Sequence, residues 1–352
     1  MSARTEPDRV AGALLGLAIG DAAGWPSVRH RAHLLPPWTR RLHRELVEFS
    51  ETEQVTTLPV PFSLNQPTQP LRLGPSDDAE WAAWTARWLL DSAGPITRAG
   101  VHAGWRRAAL DEALPRGRIS VATAADSLRR GIDPPVSGHD NPHHFDDAAA
   151  IRAVAIAAAV PDPARAAQVA GWDAEVTNAD DGVAAAQVIA ETVARLIAGE
   201  PLVASWTAAA SRLPSNGLLA ETTERALAAT ARAGSPAEAV PALAELVDHV
   251  YSYGVAAAQT VPVALALAQV NERSRGAPID AVTAAVCLPA LADSAPALTG
   301  ALVGAACGAD SWPAGWVARC RWLAGCCTGD LAGTDLVKLA RQLAAWRGES
   351  DS

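Results

Sequence analysis

The sequence predicts an all-α protein, and three observations support this fold class. Hydrophobic residues make up 49% of the 352 positions, and most are Ala, Leu and Val, of which Ala and Leu are the strongest apolar helix formers. Apolar residues recur at helical spacing along most of the chain, without the alternation of a half-buried strand. No repeat of roughly 30 to 45 residues indicates a solenoid. Because no shift in composition marks a boundary, residues 1–352 are expected to form one domain.

Charge and cysteine usage narrow the class of protein. The formal net charge of −9 argues against a nucleic-acid partner held through its phosphates. The five cysteines are odd in number and show no CxxC spacing, so we expect reduced thiols and a cytoplasmic protein. No signal sequence and no bilayer-spanning apolar run is evident, so no membrane partner is expected. The oligomeric state stays open between a monomer and a small homo-oligomer.

The first predicted helix covers residues 9–24. Glycine recurs at every fourth position from Gly12 to Gly24, which places the glycines on one face of the helix. Each costs about 1 kcal/mol relative to Ala, so the stripe predicts close approach of a second helix. Asp21 needs a partner, such as an arginine or a helix terminus, if it is buried. The proline at position 26 is expected to end the helix.

Prolines interrupt the next part of the chain. Residues 36–75 contain repeated prolines and are predicted to form an irregular loop region, apart from a short amphipathic helix over 39–53. Long irregular segments of compact domains are usually functional or disordered. Because this segment leads directly into paired carboxylates, we expect it to lie near a site and cover it.

The rest of the chain alternates helical patterns with short polar, glycine or proline breaks. Two apolar helices are predicted directly after Asp147 and Ser294, the second running to Cys307. The other predicted helices cover residues 78–90, 119–131, 163–177, 183–199, 201–213, 218–233, 237–251, 255–271, 279–288, 313–326 and 333–347.

Acidic pairs, or an acid beside a hydroxyl, stand at four predicted helix starts. Such residues cap free backbone N–H groups, at about 1 kcal/mol each, and complement the helix dipole, which explains each pair separately. If the loops converge instead, the carboxylates repel one another unless a cation such as Mg²⁺ neutralises them. Both interpretations stay open at this point. The four segments are Ser76-Asp77-Asp78, Asp146-Asp147, Asp180-Asp181 and Asp293-Ser294.

The loop before Asp146 is rich in histidine. His139, His143 and His144 accompany Asp140, and imidazoles beside carboxylates could hold a softer divalent metal. A solvated polar loop explains the same residues. The sequence does not distinguish the two interpretations.

Six segments, in the same order along the chain, resemble motifs of the ADP-ribosylglycohydrolase family. No single motif is very specific for the family, whereas six motifs in the same order are specific. They are Ala11–Pro26, similar to the opening motif; Ser76-Asp77-Asp78-Ala79-Glu80, similar to a Thr-Asp-Asp-Thr metal motif; Ala150-Ile151-Arg152; Asp173–Val183, similar to Asp-Ala-x-x-Thr-His-x-x-Asp-Gly; Gln259–Ala264; and Ala292-Asp293-Ser294 with Gly300-Ala301, similar to the final Asp-Thr-Asp-Thr motif with its Gly-Ala.

The resemblance implies a compact orthogonal bundle of helices that hydrolyses a glycosidic bond of an ADP-ribosyl adduct, small or protein-linked, or of a related nucleoside-like N-glycoside. It also implies one or two Mg²⁺ ions that hold the ribose hydroxyls and orient a water. The implied metal ligands are Ser76, Asp77, Asp78, Asp293 and Ser294. The implied catalytic residues are Asp78, Asp293 and Asp147. The implied substrate-binding residues are Asp21, Asp146, Arg152, Asn178 and Asp181.

The chain departs from the family pattern at several positions. Leu291 stands where the last motif has its first Asp, and Ala79 replaces a Thr of the first metal motif. Asn178 replaces a His, and Val28 stands where some members carry a catalytic Glu. The alternative function is therefore a degenerate member that binds ADP-ribose or a nucleotide as a sensor or accessory protein. Leu291→Asp is expected to strengthen metal binding if the family geometry is retained.

Overall fold

The computed structural model describes residues 4–32, 52–54, 74–92, 94–214, 217–247 and 254–350, of which 25–32 and 348–350 are described by their backbone alone. The predicted loop region over 36–75 and its helix over 39–53 lie almost entirely outside the described residues. The side chain of Val28 also lies outside them.

Helices account for 71% of the described residues, which confirms the all-α prediction. No strand lies within these ranges, where the only bridges are the isolated pairs Asp146–Ala256 and Trp322–Asp335. The helices are α1 Glu6–Ala32, α2 Asp77–Asp91, α3 Arg98–Leu110, α4 Ile119–Arg129, α5 Val136–His139, α6 Ala148–Ala159, α7 Pro163–Ala174, α8 Asp180–Ile197, α9 Leu202–Ala210, α10 Leu218–Ala229, α11 Pro236–Ala244, α12 Ala257–Ser274, α13 Pro278–Val286, α14 Ala295–Cys307, α15 Ala314–Cys320 and α16 Leu336–Ser350.

Helices α1 and α14 pack backbone against backbone through the predicted glycine stripe. A Cβ atom added to Gly300 would lie 2.0 Å from the carbonyl oxygen of Gly16, and one added to Gly304 would lie 2.0 Å from that of Gly12. A Cβ at Gly24 would lie 2.1 Å from the carbonyl oxygen of Ala292. The close approach is therefore confirmed, and it brings the segment around Asp21 beside the start of α14.

Helix α6 forms the centre of the core. All of its residues are buried, and it packs against α2, α7 and α8. Its N-terminal end is held by the chain that precedes α12, because the N–H of Asp147 donates to the carbonyl of Val255 (2.8 Å) and the N–H of Ala257 donates to that of Phe145 (3.0 Å). A buried helix is thus fixed with Asp147 at its start.

Several predicted boundaries were wrong, and one helix was missed. Helix α1 continues through position 26 to Ala32, because an interior proline removes one backbone hydrogen bond without requiring the helix to end. Helix α3 was not predicted, since Gly100 and Gly104 weaken its pattern, although Gly104 is needed where Trp88 packs closely. The helix predicted over 313–326 ends at Cys320, where the chain turns towards the Trp322–Asp335 bridge.

In the part of the chain that the structure describes, no helix is both long and apolar enough to cross a membrane.

Candidate active site: a carboxylate cluster around Arg118

Four carboxylates from three distant segments surround one buried guanidinium. Arg118 Nη2 donates to Asp78 Oδ1, and Nη1 donates to Asp293 Oδ2 at 3.3 Å. Its Nε lies 3.3 Å from Asp77 Oδ2, and Nη1 lies 3.5 Å from Asp147 Oδ1. The structure therefore brings together all four acids that the sequence singled out as metal ligands or catalytic residues.

Ser294 joins two members of this cluster. Its hydroxyl accepts from Arg118 Nη2 at 2.7 Å and donates to Asp147 Oδ1 at 3.2 Å. The side chain is fully buried. Ser294 therefore fixes the orientation of the guanidinium relative to the carboxylate that precedes α6.

Arg118 was missed by sequence reasoning. It is the residue before α4, preceded by Gly117 at φ +129°, and only 5% of its side chain is exposed. In a chain whose positive charge is almost all arginine, nothing local distinguishes this arginine from the others. The usable signal was indirect, since converging acids require a positive charge to neutralise them.

Asp21 caps α2 from a different helix. Its Oδ2 accepts from the backbone N–H groups of Ser76 (2.7 Å) and Ala79 (3.0 Å), and its Oδ1 accepts from the Ser76 hydroxyl. The N-cap residues Ser76, Asp147 and Ser294 make no side-chain cap bonds, so local capping does not explain the acids of the cluster. Asp146, outside the cluster, does accept from the N–H of Ala148 at 3.2 Å. Asp21 therefore orients the segment that carries Asp77 and Asp78.

Burial dominates the electrostatics of the cluster. It raises the pKa of Asp78 well above its ordinary value, although Arg118 acts in the opposite direction. Burial also raises the pKa of Asp147 to about 7 against the same guanidinium, and burial together with Asp77 raises the pKa of Asp21 to about 7. Burial alone would lower the pKa of Arg118, but the surrounding carboxylates raise it well above its ordinary value. Several acids sharing one guanidinium therefore remain incompletely neutralised.

The cluster has a buried side and a partly exposed side. The side chains of Asp78 and Asp147 are 1% and 0% exposed, whereas those of Asp77 and Asp293 are 25% and 27% exposed. Within the described residues, Asp78 Oδ2 and Asp147 Oδ2 are buried without a hydrogen-bond partner. A ligand that enters past Asp77 and Asp293 would therefore meet unused acceptor oxygens.

Three of the residues predicted to bind substrate belong to a second buried network. Arg152 Nε donates to Asp173 Oδ2 at 2.6 Å, and its Nη2 donates to Thr177 Oγ1 at 2.9 Å. Asn178 Nδ2 donates to Asp146 Oδ1 at 2.9 Å. These contacts tie the turn before α8 to the start of α6, and Arg152, Asp146 and Asn178 are buried.

Asp181 lies near the start of α8 and accepts from the N–H of Leu219, at the start of α10, at 3.2 Å. Unlike Asp293, it is not among the carboxylates that contact Arg118. A substrate-binding role for Asp21, Asp146, Arg152, Asn178 and Asp181 stays a prediction.

Among the described residues, the histidine-rich loop does not bring three metal-ligating groups together. His139 lies exposed beside Asp140 (3.4 Å), His143 stacks on Phe145, and His144 Nδ1 contacts the carbonyl of Asn141 (2.9 Å). His139 and Asp140 instead line a cavity of about 520 Å³ that Asn178 and Arg212 also border.

A thiol-rich cluster lies against α2. Ligand atoms of Glu80, Cys326 and Cys327 lie within 4.8 Å of one another, the only such group of three among the described residues. Both oxygens of Glu80 accept backbone N–H groups, one from each cysteine, at 2.7 Å. The two Sγ atoms are 3.8 Å apart and both cysteines are free thiols.

Fold and site together define an all-α protein with a carboxylate centre where helix starts converge, an arrangement suited to chemistry on a developing positive charge or to a hard cation. The family model described as ADP-ribosylglycohydrolase matches residues 1–351, so the chain belongs to the ADP-ribosylglycohydrolase family.

A solved structure titled "ADP-ribosylglycohydrolase-related protein complex" shares the fold. It superposes with a TM-score of 0.60 at 17% identity, covering 98% of this chain and all of the other. No curated protein sequence matches the chain.

Proposed function

We propose that this protein hydrolyses a glycosidic bond of an ADP-ribosyl adduct, small or protein-linked, or of a related nucleoside-like N-glycoside. Family membership supports the class of reaction. The single observation that carries the proposal is the convergence of Asp77, Asp78, Asp147 and Asp293 on one centre with a partly exposed side. No nucleic-acid or membrane partner is proposed.

The carboxylates have the chemistry that this reaction needs. Glycosidic cleavage passes through a sugar cation, which neighbouring carboxylates stabilise. A carboxyl group whose pKa lies near 7 can exchange a proton with a water or a leaving group at neutral pH, and burial gives Asp147 such a pKa. We assign catalytic roles to Asp78, Asp147 and Asp293, with Asp147 the best placed to hold or move a proton.

The donor atoms are of the type that Mg²⁺ binds, although no three of the cluster's carboxylates bring ligand oxygens within 4.8 Å of one another in the described structure. Carboxylate and hydroxyl oxygens are the ligands that a hard cation takes, and the buried Oδ2 atoms of Asp78 and Asp147 have unused acceptor capacity in the described structure. Asp77, Asp78 and Asp293 would hold the ion, with the hydroxyls of Ser76 and Ser294 beside them. When bound, Mg²⁺ supplies Lewis-acid polarisation and orients a water.

Asp78→Asn tests the proposal. Asparagine keeps the size of the side chain, and Arg118 keeps its contacts to Asp77, Asp147 and Asp293, so folding should be preserved. For Asp78→Asn, we expect kcat/KM on N- and O-linked ADP-ribosyl adducts to fall by about a hundredfold or more. For the wild type, we expect EDTA to abolish turnover until Mg²⁺ is restored. Asp126→Asn, at a site where the side chain is 72% exposed, is the matched control. Turnover that survives both EDTA and Asp78→Asn would contradict the metal-dependent mechanism.

The second candidate function is binding of ADP-ribose or a nucleotide without turnover. Two observations favour it. Arg118 already contacts all four acids. In addition, Leu291 stands in place of a motif carboxylate and is fully buried among apolar residues. Calorimetry with ADP-ribose, run beside the hydrolysis assay, separates the candidates. Binding of ADP-ribose without hydrolysis of any adduct would contradict the proposal that the protein is an enzyme.

A further inference from the structure

The Arg118 guanidinium lies where a cation shared by the cluster would have to lie. Its nitrogens contact Asp77, Asp78, Asp147 and Asp293. Coordination requires oxygen–metal distances of about 2.1 Å for Mg²⁺. The acids do not offer that geometry around the guanidinium, because no three of them bring ligand oxygens within 4.8 Å of one another in the described structure. A second positive charge beside Arg118 would also be repelled strongly in this buried site.

We propose that Arg118 is an internal counter-ion that competes with the divalent cation. In the metal-free protein it stabilises the acids, and a cation binds when the guanidinium withdraws from Asp78 and Asp293. This inference rests on the proposed function, because it concerns the cation of the same site.

Because of the charge balance in the cluster, the Arg118-paired state and the cation-bound state are expected to be similar in free energy. One guanidinium faces four carboxylates, so three negative charges remain when all are ionised. Buried acceptors at Asp78 Oδ2 and Asp147 Oδ2 add to this deficit. A divalent cation neutralises more of the excess than Arg118 does, whereas displacing Arg118 breaks its contacts to Asp78 and Ser294. Arg118 therefore weakens cation binding without abolishing it.

The backbone of Arg118 is fixed at the start of α4. The carbonyl of Arg118 accepts the N–H of Ala122 at 3.1 Å, which holds the residue at the start of α4. A Cβ at Gly117 would lie 3.4 Å from the Asp77 side chain, in ordinary van der Waals contact, so this turn packs beside Asp77. In this proposal the guanidinium therefore moves through its side-chain torsions while α4 stays in place.

Mn²⁺ binding to Arg118→Gln, measured by calorimetry with Mn²⁺ as the probe for Mg²⁺, tests this competition. We expect the variant to bind Mn²⁺ about tenfold more tightly than the wild type or better, and to have a lower Tm in EDTA that Mg²⁺ restores. Arg118→Lys, which keeps the charge, should stay close to the wild type. Arg98→Gln removes an ion pair with Glu175 at a half-exposed arginine and is the matched control. Equal affinity for the wild type and Arg118→Gln, or binding to neither, would overturn the inference.

A second measurement uses the unaltered protein, in case Arg118→Gln does not fold. The side-chain Nε–H signal of Arg118, assigned by its loss in Arg118→Lys, should shift on titration with Mg²⁺. An unchanged signal while calorimetry detects Mg²⁺ binding would also overturn the inference. Neither readout depends on hydrolysis, so a gain in Mn²⁺ affinity in a protein that turns over no substrate would reject the proposed function and keep the competition.

Discussion

Asp21 lies in α1 and is fully buried, yet both of its carboxylate oxygens accept hydrogen bonds from the start of α2. It accepts two backbone N–H groups and one hydroxyl from a segment 55 to 58 residues away. A buried carboxylate without such donors costs several kcal/mol, on the order of 3 or more. The sequence predicted that Asp21 would need a helix terminus or an arginine, and the structure supplies the helix terminus.

The pH dependence of stability should reveal the buried acids. Burial raises the pKa of Asp147 and of Asp21 to about 7, above the ordinary aspartate value, so the folded state binds more protons than the unfolded state between roughly pH 4 and 7. Their stabilising contribution is fully present below about pH 4 and is lost as the pH rises through 7. We therefore expect Tm in EDTA to fall from pH 5 to pH 8.

Asp147→Asn should flatten this fall, because asparagine does not titrate, while the groups facing it (Arg118, Asp146 and Asp293) are unchanged. Asp126→Asn should leave the profile as in the wild type, because that side chain is largely exposed. Identical profiles for the wild type and Asp147→Asn would show that Asp147 does not carry the effect.

Leu291→Asp should destabilise the protein rather than complete its metal site. The side chain is fully buried in an apolar cluster with Leu243, Leu267 and Leu288. A carboxylate there would lose its hydration without a partner, at a cost of about 3 kcal/mol or more. The expectation of stronger metal binding is therefore replaced by one of lost stability, measured by urea unfolding. Leu110→Asp, at a leucine that is 59% exposed, should cost little; tighter Mn²⁺ binding by a fully stable Leu291→Asp would contradict the placement of Leu291.

At the scale of secondary structure elements, the glycine stripe explains how α1 and α14 are joined. Gly16 and Gly300 approach so closely that neither position has room for a Cβ atom. The obstruction is backbone carbonyl oxygen, which cannot rotate away as a flexible side chain can. This helix pair fixes where Asp21 and Asp293 lie relative to each other, so the stripe matters to the site as well as to the fold.

Gly300→Ala should cost about 2 to 3 kcal/mol of unfolding free energy in urea, because the added methyl meets the Gly16 carbonyl oxygen and forces the helices apart. Gly315→Ala is the matched control, since a Cβ at that position of α15 has no atom within 4 Å. Alanine there should stabilise by about 0.5 to 1 kcal/mol through helix propensity. A similar effect of the two substitutions would argue against backbone contact between α1 and α14.

At the scale of the whole molecule, four helix starts meet at the carboxylate cluster. Asp77 and Asp78 open α2, Arg118 precedes α4, Asp147 precedes α6, and Ser294 precedes α14 with Asp293 beside it. The N-terminal ends of helices carry partial positive charge from the aligned peptide dipoles. Their convergence, together with Arg118, offsets part of the repulsion among the acids that the fold brings together.

Local patterns in the sequence determined most of the helices, the close approach along the glycine stripe and the positions of the acids, because helical periodicity and backbone sterics act over a few residues. The family motifs were equally readable. Only the tertiary structure decided that Arg118 pairs with Asp78, 40 residues away, and with Asp293, 175 residues away, and that Asp21 rather than Ser76 caps α2. These pairings depend on how whole helices pack, and a lone arginine or a buried aspartate carries no local mark of the partner that it will meet.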